Sequence, residues 1–155
     1  MEGLTMSSIV DALYELKYNP FEYSAYIASF YARSSALENN LLLAPLVIPL
    51  CSHPFFGTKL FNSNKNSTMW SIFDDRTKLY DLQERIDGFQ ELTEQCIQYC
   101  LVNDWLSVDE EHLAFRASVE PALTFSNQKT AEKLGRLFSG HSVVEIYAFL
   151  GMKPR

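Results

Sequence analysis

The chain has 155 residues, 47% of them hydrophobic and 14% aromatic. That is enough apolar side chain for one core of ordinary domain size, and too much for a disordered tail or linker. Acids outnumber bases 19 to 13, a formal charge of −6, which excludes a generic nucleic-acid coat because phosphate neutralisation needs an excess of Lys and Arg.

In chain order, residues 8–17 carry Ile9, Val10, Leu13, Tyr14 and Leu16 at helical spacing behind Ser8. Asn19, Pro20 and Glu22 then form a helix start: Asn as cap, Pro at the first position and an acid in the first turn. The spacing predicts a helix over 20–34, with Phe21, Ala25, Ala28 and Ala32 on one stripe and Tyr23, Ile27, Phe30 and Tyr31 widening it. Residues 41–51 are apolar all round, so periodicity alone leaves helix and strand open. Length and Leu/Ala content favour a buried helix bent or started by proline. A break at Ser52-His53-Pro54 precedes a short helix over 55–61 and a polar loop over 62–67.

From Thr68 the pattern is helical again, through Met69, Trp70, Ile72 and Phe73, then Leu79, Leu82, Ile86 and Phe89, with a break at Asp87-Gly88. A further helix spans 91–103, with Leu92, Cys96, Ile97, Cys100 and Leu101 facing inward. The period then switches to two. Residues 105–108 and 112–116 read as strands joined by a turn at Asp109-Glu110-Glu111. Two helices close the chain: 127–139 capped by Ser126, and 143–150 with Ser142 and Glu145 as a capping box and Gly151 past the end. The fold class is mainly α with a small β-wing, a winged-helix-like single domain over 1–155. Its parts are a helical body with the winged-helix module over 18–116 and a C-terminal helical pair over 126–152.

Chemistry-bearing residues are dispersed. Cys51, Cys96 and Cys100 cannot all pair within one chain, and no histidine pair stands near them at metal-ligand spacing. They read as reduced core thiols in a cytoplasmic protein. The longest apolar run, eleven residues over 41–51, is far short of the about 20 that a membrane-spanning helix needs. Asp74, Asp75, Asp81, Glu84 and Asp87 form an acidic stretch whose spacing suits a solvated helix face. His53, His112 and His141 are scattered, and neither a phosphate-cradling glycine loop nor a nucleophile turn is present. No catalytic residue, metal site or cofactor is expected. From Pro121 onward the balance reverses to five bases against two acids. Lys129, Lys133 and Arg136 share one helix face that suits DNA or an acidic partner. The helix over 91–103, where a winged helix would read bases, has no Lys or Arg, so docking to protein is the better use of the module. Phe55 and Phe56, beside a break, are the candidate apolar anchors of an interface, although core packing is the expected fate of at least one of them.

Three stretches together carry a family resemblance: Tyr18-Asn19-Pro20-Phe21; Leu46-Val47-Ile48-Pro49-Leu50 running into Ser52-His53-Pro54; and Ala131-Glu132-Lys133-Leu134-Gly135-Arg136-Leu137-Phe138 followed by 145–154. In order and spacing the chain resembles the middle component of prokaryotic three-component ABC-ATPase conflict systems, the group that includes Lamassu-type antiphage and antiplasmid defence. The resemblance implies a non-enzymatic adaptor. Its partners would be an ATPase resembling structural-maintenance-of-chromosomes (SMC) proteins and an effector nuclease subunit, with DNA contact inside the complex and no membrane. A free-standing winged-helix DNA-binding regulator is the alternative, and an enzyme built on the carboxylate-rich middle is the third reading.

Overall fold

A computed structural model describes residues 19–34 and 38–153, together with the helical residue Ile9. The helix expected over 8–17 otherwise lies outside the described residues, as do Tyr18 and Pro154.

The first helix, α1 (Pro20–Arg33), begins as its sequence dictates: the Asn19 side chain accepts from the Phe21 amide at 2.9 Å and Pro20 occupies the first turn. Every residue from Ser24 to Tyr31 is buried, so α1 is the central element, not an amphipathic surface helix. A 3₁₀ turn (Asn40–Leu43) leads into α2 (Ala44–Cys51), followed by α3 (Phe56–Phe61). The apolar run is thus helical, with Pro45 in its first turn and Pro49 inside it.

Residues 68–89, read from sequence as one helical pattern up to a break at 87–88, form three short pieces. They are α4 (Met69–Ile72), a 3₁₀ turn (Arg76–Leu79) and α5 (Leu82–Gly88). The interruption has a local cause. Thr68 and Ser71 close a reciprocal capping box at the start of α4, and Asp75 accepts the Thr77 hydroxyl, so side chains compete with the helical ladder. Next comes α6 (Gln90–Val102), then an antiparallel hairpin of β1 (Leu106–Asp109) and β2 (Ala114–Ala117), with Leu106 opposite Ala117 and Asp109 opposite Ala114. The turn begins one residue and ends two residues later than the sequence indicates, and Leu113 (φ 48°) closes it. Asp109 organises it by accepting from the His112 amide (3.2 Å), the His112 ring (2.9 Å) and Arg116 (2.9 Å). These donors hold its carboxyl down at about 2, Arg116 contributing most.

Asn40 ties the hairpin to the body. Buried at the 3₁₀ turn, its amide group donates to the Phe115 carbonyl (3.2 Å) and accepts the Phe115 amide (2.7 Å), imitating a neighbouring strand. The last helices are α7 (Asn127–Phe138) and α8 (Val143–Leu150). Ser142 caps α8 through the Glu145 amide at 3.1 Å, and Gly151 ends it in the left-handed region at φ 71°. Ser126 makes no such cap for α7. The Gln128 and Lys129 amides bond instead to the Phe125 and Ser126 carbonyls (3.1 and 3.2 Å), and the Gln128 side chain holds the preceding segment by accepting the Thr124 and Phe125 amides at 2.8 Å each.

The core is one continuous apolar cluster drawing on each of the helices α1–α8 and on both strands. Its principal contact is α1 on α7, where Phe30 meets Phe138 edge to face (6.1 Å) and Arg33 pairs with the nearly buried Glu132 at 2.7 Å. Cys51, Cys96 and Cys100 are buried free thiols. Burial raises the Cys96 and Cys100 thiols to about 11 and about 12, keeping both protonated. Their sulfurs face the carbonyls of Pro20 and Ser24 on α1. Among the described residues, no helix is long and apolar enough to cross a membrane.

Candidate functional site

The Ser52-His53-Pro54 break shows why Phe55 and Phe56 part company. His53 is 7% exposed, and its Nδ1 accepts two backbone amides, from Phe55 (3.1 Å) and Phe56 (3.2 Å), acting as the cap of α3. With Nδ1 an acceptor, the proton sits on Nε2, which faces Asp81 at 3.8 Å. Burial, then the Arg85 charge, pushes the imidazole below its ordinary value. The backbone turn made by this cap drives Phe56 inward, where it is 0% exposed against His53 and Phe73 (ring centroids 4.7 and 5.1 Å). Phe56 is therefore a core residue and is withdrawn as an interface anchor. Phe55 stays half-buried on Phe56, with the ammonium groups of Lys59 and Lys78 over its ring at 5.3 and 5.6 Å.

This arrangement predicts a pH signature. Because the folded state favours neutral His53, its contribution is complete above the unfolded value of about 6.5 and declines as pH falls through the depressed folded value. His53→Asn keeps a cap acceptor but does not titrate. Denaturant titrations should show wild type losing stability relative to H53N as pH falls below about 6.5. Parallel pH profiles would contradict the assignment of the cap.

On α7 the basic face is only partly as the spacing suggests. Lys129 and Arg136 are exposed, and among the described residues no carboxylate pairs with either. Lys133 is partly buried, and its ammonium donates to the carbonyls of Phe61 (2.6 Å) and Ser63 (2.9 Å) while lying over the Phe61 ring. It caps the C-terminal end of α3, where a cation suits the orphan carbonyls. Lys65, in the polar loop over 62–67, lines a cleft with Lys133 and Arg136.

The acidic stretch does not converge. Asp74 is exposed and paired with Lys59, Asp75 is bonded to Thr77, Glu84 points outward, and only Asp81 approaches a histidine. Among the described residues, no group of three or more His, Cys, Asp or Glu side chains stands where it could hold a metal ion.

A surface unmarked by the sequence pattern is aromatic. Trp70, on the helical stripe of residues 69–73, is 73% exposed because the four-residue α4 turns only Met69 and Ile72 inward. Its ring lies edge-on to Phe149 of α8 at 4.5 Å, and the Arg76 guanidinium covers Phe149 at 4.8 Å while donating to its carbonyl. The signal that could have found it is the shortness of α4, announced by Thr68 and Ser71 three residues apart.

The three stretches that carry the resemblance prove to be structural. Asn19 caps α1, residues 46–50 are wholly buried, and His53 caps α3. In the third stretch Glu132 pairs with Arg33, while Leu134, Gly135 and Phe138 pack on α1. The sequence model of the ABC-three component (ABC-3C) system Middle Component 3 matches residues 7–154. The chain belongs to this family. No curated protein and no solved structure matches it. In this Middle Component 3 chain these stretches supply core residues such as Leu46, Ile48, Leu134 and Phe138 together with the exposed Arg136. Outside the core lie the exposed Trp70 against Phe149, the half-buried Phe55 with its two lysines, and the cleft lined by Lys65, Lys133 and Arg136.

Proposed function

We propose that this Middle Component 3 protein is a non-catalytic adaptor. It joins an SMC-like ABC ATPase to an effector, a nuclease, in an antiphage or antiplasmid defence complex. The observation that carries the reading is the exposure of Trp70, a large apolar side chain held outside the core at 73% exposure against Phe149. A buried tryptophan is a common energetic centre of an interface, and an isolated chain gains nothing from holding one in water. The dispersed carboxylates and the cap role of His53 favour the adaptor over the enzyme reading. Phe55 is the second anchor of the proposal, its ring already clamped by cations that would meet an acidic partner surface.

The test is co-purification of the tagged protein with the ATPase and effector encoded beside it. The adaptor reading expects both to be retained; a monomer that captures neither overturns it. Trp70→Glu should cut recovery of at least one partner tenfold or more, since interface tryptophans are worth about 2 kcal/mol or more. The melting temperature should stay within a few degrees of wild type, because the side chain is exposed. Undiminished recovery with W70E would remove this patch from the assembly.

A further inference from the structure

We propose that the cleft between the 62–67 loop and α7 binds the phosphate groups of a nucleic-acid backbone. The cleft, about 210 Å³ in volume, is lined by Lys65, Lys133 and Arg136 together with Ser63, Asn64 and Ser67. Three cations and a set of short hydroxyl and amide side chains therefore converge on one concavity, and no carboxylate lines it.

The two chain segments that form the cleft are themselves poor in acid. Residues 60–73 contain no Asp or Glu, and residues 121–144 contain only Glu132, whose carboxylate is bound to Arg33. On a chain with a formal charge of −6, three cations therefore line one cleft that has no carboxylate in its lining. Its cations are also positioned. Lys133 is fixed by two carbonyl acceptors, which leave its third N–H and its charge for the cleft. The loop opposite is braced by Asn64 and Ser67, the Ser67 hydroxyl accepting the Asn64 amide at 3.0 Å and the Ser67 amide donating to the Asn64 carbonyl at 3.0 Å. Arg136 supplies a planar donor fork suited to phosphate oxygens.

The choice of a polymer over a lone phosphate rests on Lys129. It lies on the same face one helical turn beyond Lys133, so the cationic row runs about 10 Å along α7. A duplex carries one charge per ~3.4 Å of axis on each strand, and a row of that length meets more than one of them. With so few contacts, affinity will be modest, indifferent to sequence and steeply salt-dependent.

The proposal stands apart from the adaptor reading, since it concerns the isolated protein. Fluorescence anisotropy with a labelled 30-base-pair duplex at 50 and 200 mM NaCl tests it. Wild type should bind at the lower salt. Lys65→Gln with Arg136→Gln should weaken binding at least tenfold and flatten the slope of log K against log salt by about 1.8, two phosphate contacts being lost. The matched pair Arg116→Gln with Lys153→Gln removes the same charge elsewhere and should change affinity less than threefold. Absence of binding at 50 mM salt, or equal losses from the two pairs, overturns the proposal. So does a response of the Lys65 and Arg136 side-chain resonances to inorganic phosphate or a polyglutamate peptide but not to the duplex.

Discussion

Gly135→Ala is expected to destabilise the protein by about 2 kcal/mol, although alanine is the better helix former by about 1 kcal/mol. Gly135 lies inside α7, where a Cβ would stand 2.4 Å from the Phe30 carbonyl oxygen of α1 and 3.2 Å from the nitrogen of Ser34, which caps the end of α1. Both neighbours are backbone, so neither can swing aside, and the helices would have to separate. Separation loosens the Phe30–Phe138 contact and the Arg33–Glu132 pair together. Overpacking of this kind costs roughly 1–3 kcal/mol and outweighs the propensity gain. For a chain of this size the melting temperature should fall by roughly 5–8 °C. Gly88→Ala is the opposite case: nothing lies within 4 Å of its added Cβ, so the same substitution at the end of α5 should be neutral or stabilising. Equal shifts at the two sites would show that the close approach of α1 and α7 is not what limits position 135.

Gln128→Ala should cost about 2–3 kcal/mol, an unusual loss for one uncharged side chain. Gln128 is 0% exposed, and its four polar contacts are all made: Nε2 donates to the Ser29 hydroxyl (3.0 Å) and the Ala122 carbonyl (2.8 Å), while Oε1 accepts the Thr124 and Phe125 amides. Truncation strands the Ser29 hydroxyl inside the core and releases the 121–125 segment that Gln128 holds, each unpaired buried group costing about 1–3 kcal/mol. Hydrogen exchange at Thr124 and Phe125 should accelerate in step with the loss. Gln128→Glu separates the roles of the two ends. One oxygen still accepts both amides, but the other faces the Ala122 carbonyl without a hydrogen to give. Protonation supplies that hydrogen, so the deficit of Q128E relative to wild type should shrink as pH falls. A deficit that grows on acidification would mean that packing, not the donor, matters here.

The elements legible in the sequence were those with local punctuation. Asn19-Pro20, Ser142 with Gly151, and the change of period after α6 each act within a few residues, and each is present in the structure. Failures of legibility came where a distant partner decided the outcome. The spacing of Lys129, Lys133 and Arg136 is correct for one face, yet it carries no information that the C-terminal carbonyls of α3 would claim Lys133. Adjacent phenylalanines look equivalent in sequence, and the cap made by His53 separates them. Trp70 fits an apolar helical stripe, but α4 is too short to complete one. Lys65 is unremarkable until α7 is folded beside its loop.

The pairing of α1 with α7 also bears on how the protein comes into being. Ser29 and Gln128 touch across 99 positions of chain, and the central helix meets its principal partner only after every intervening element has been made. At roughly 5–20 residues per second of synthesis, α1 waits on the order of 5–20 s for the surface that will cover it. Local helices form in microseconds, so the delay is set by the ribosome. During that interval the apolar side of α1 is available to chaperones, and to any partner that meets the chain while it is still being made.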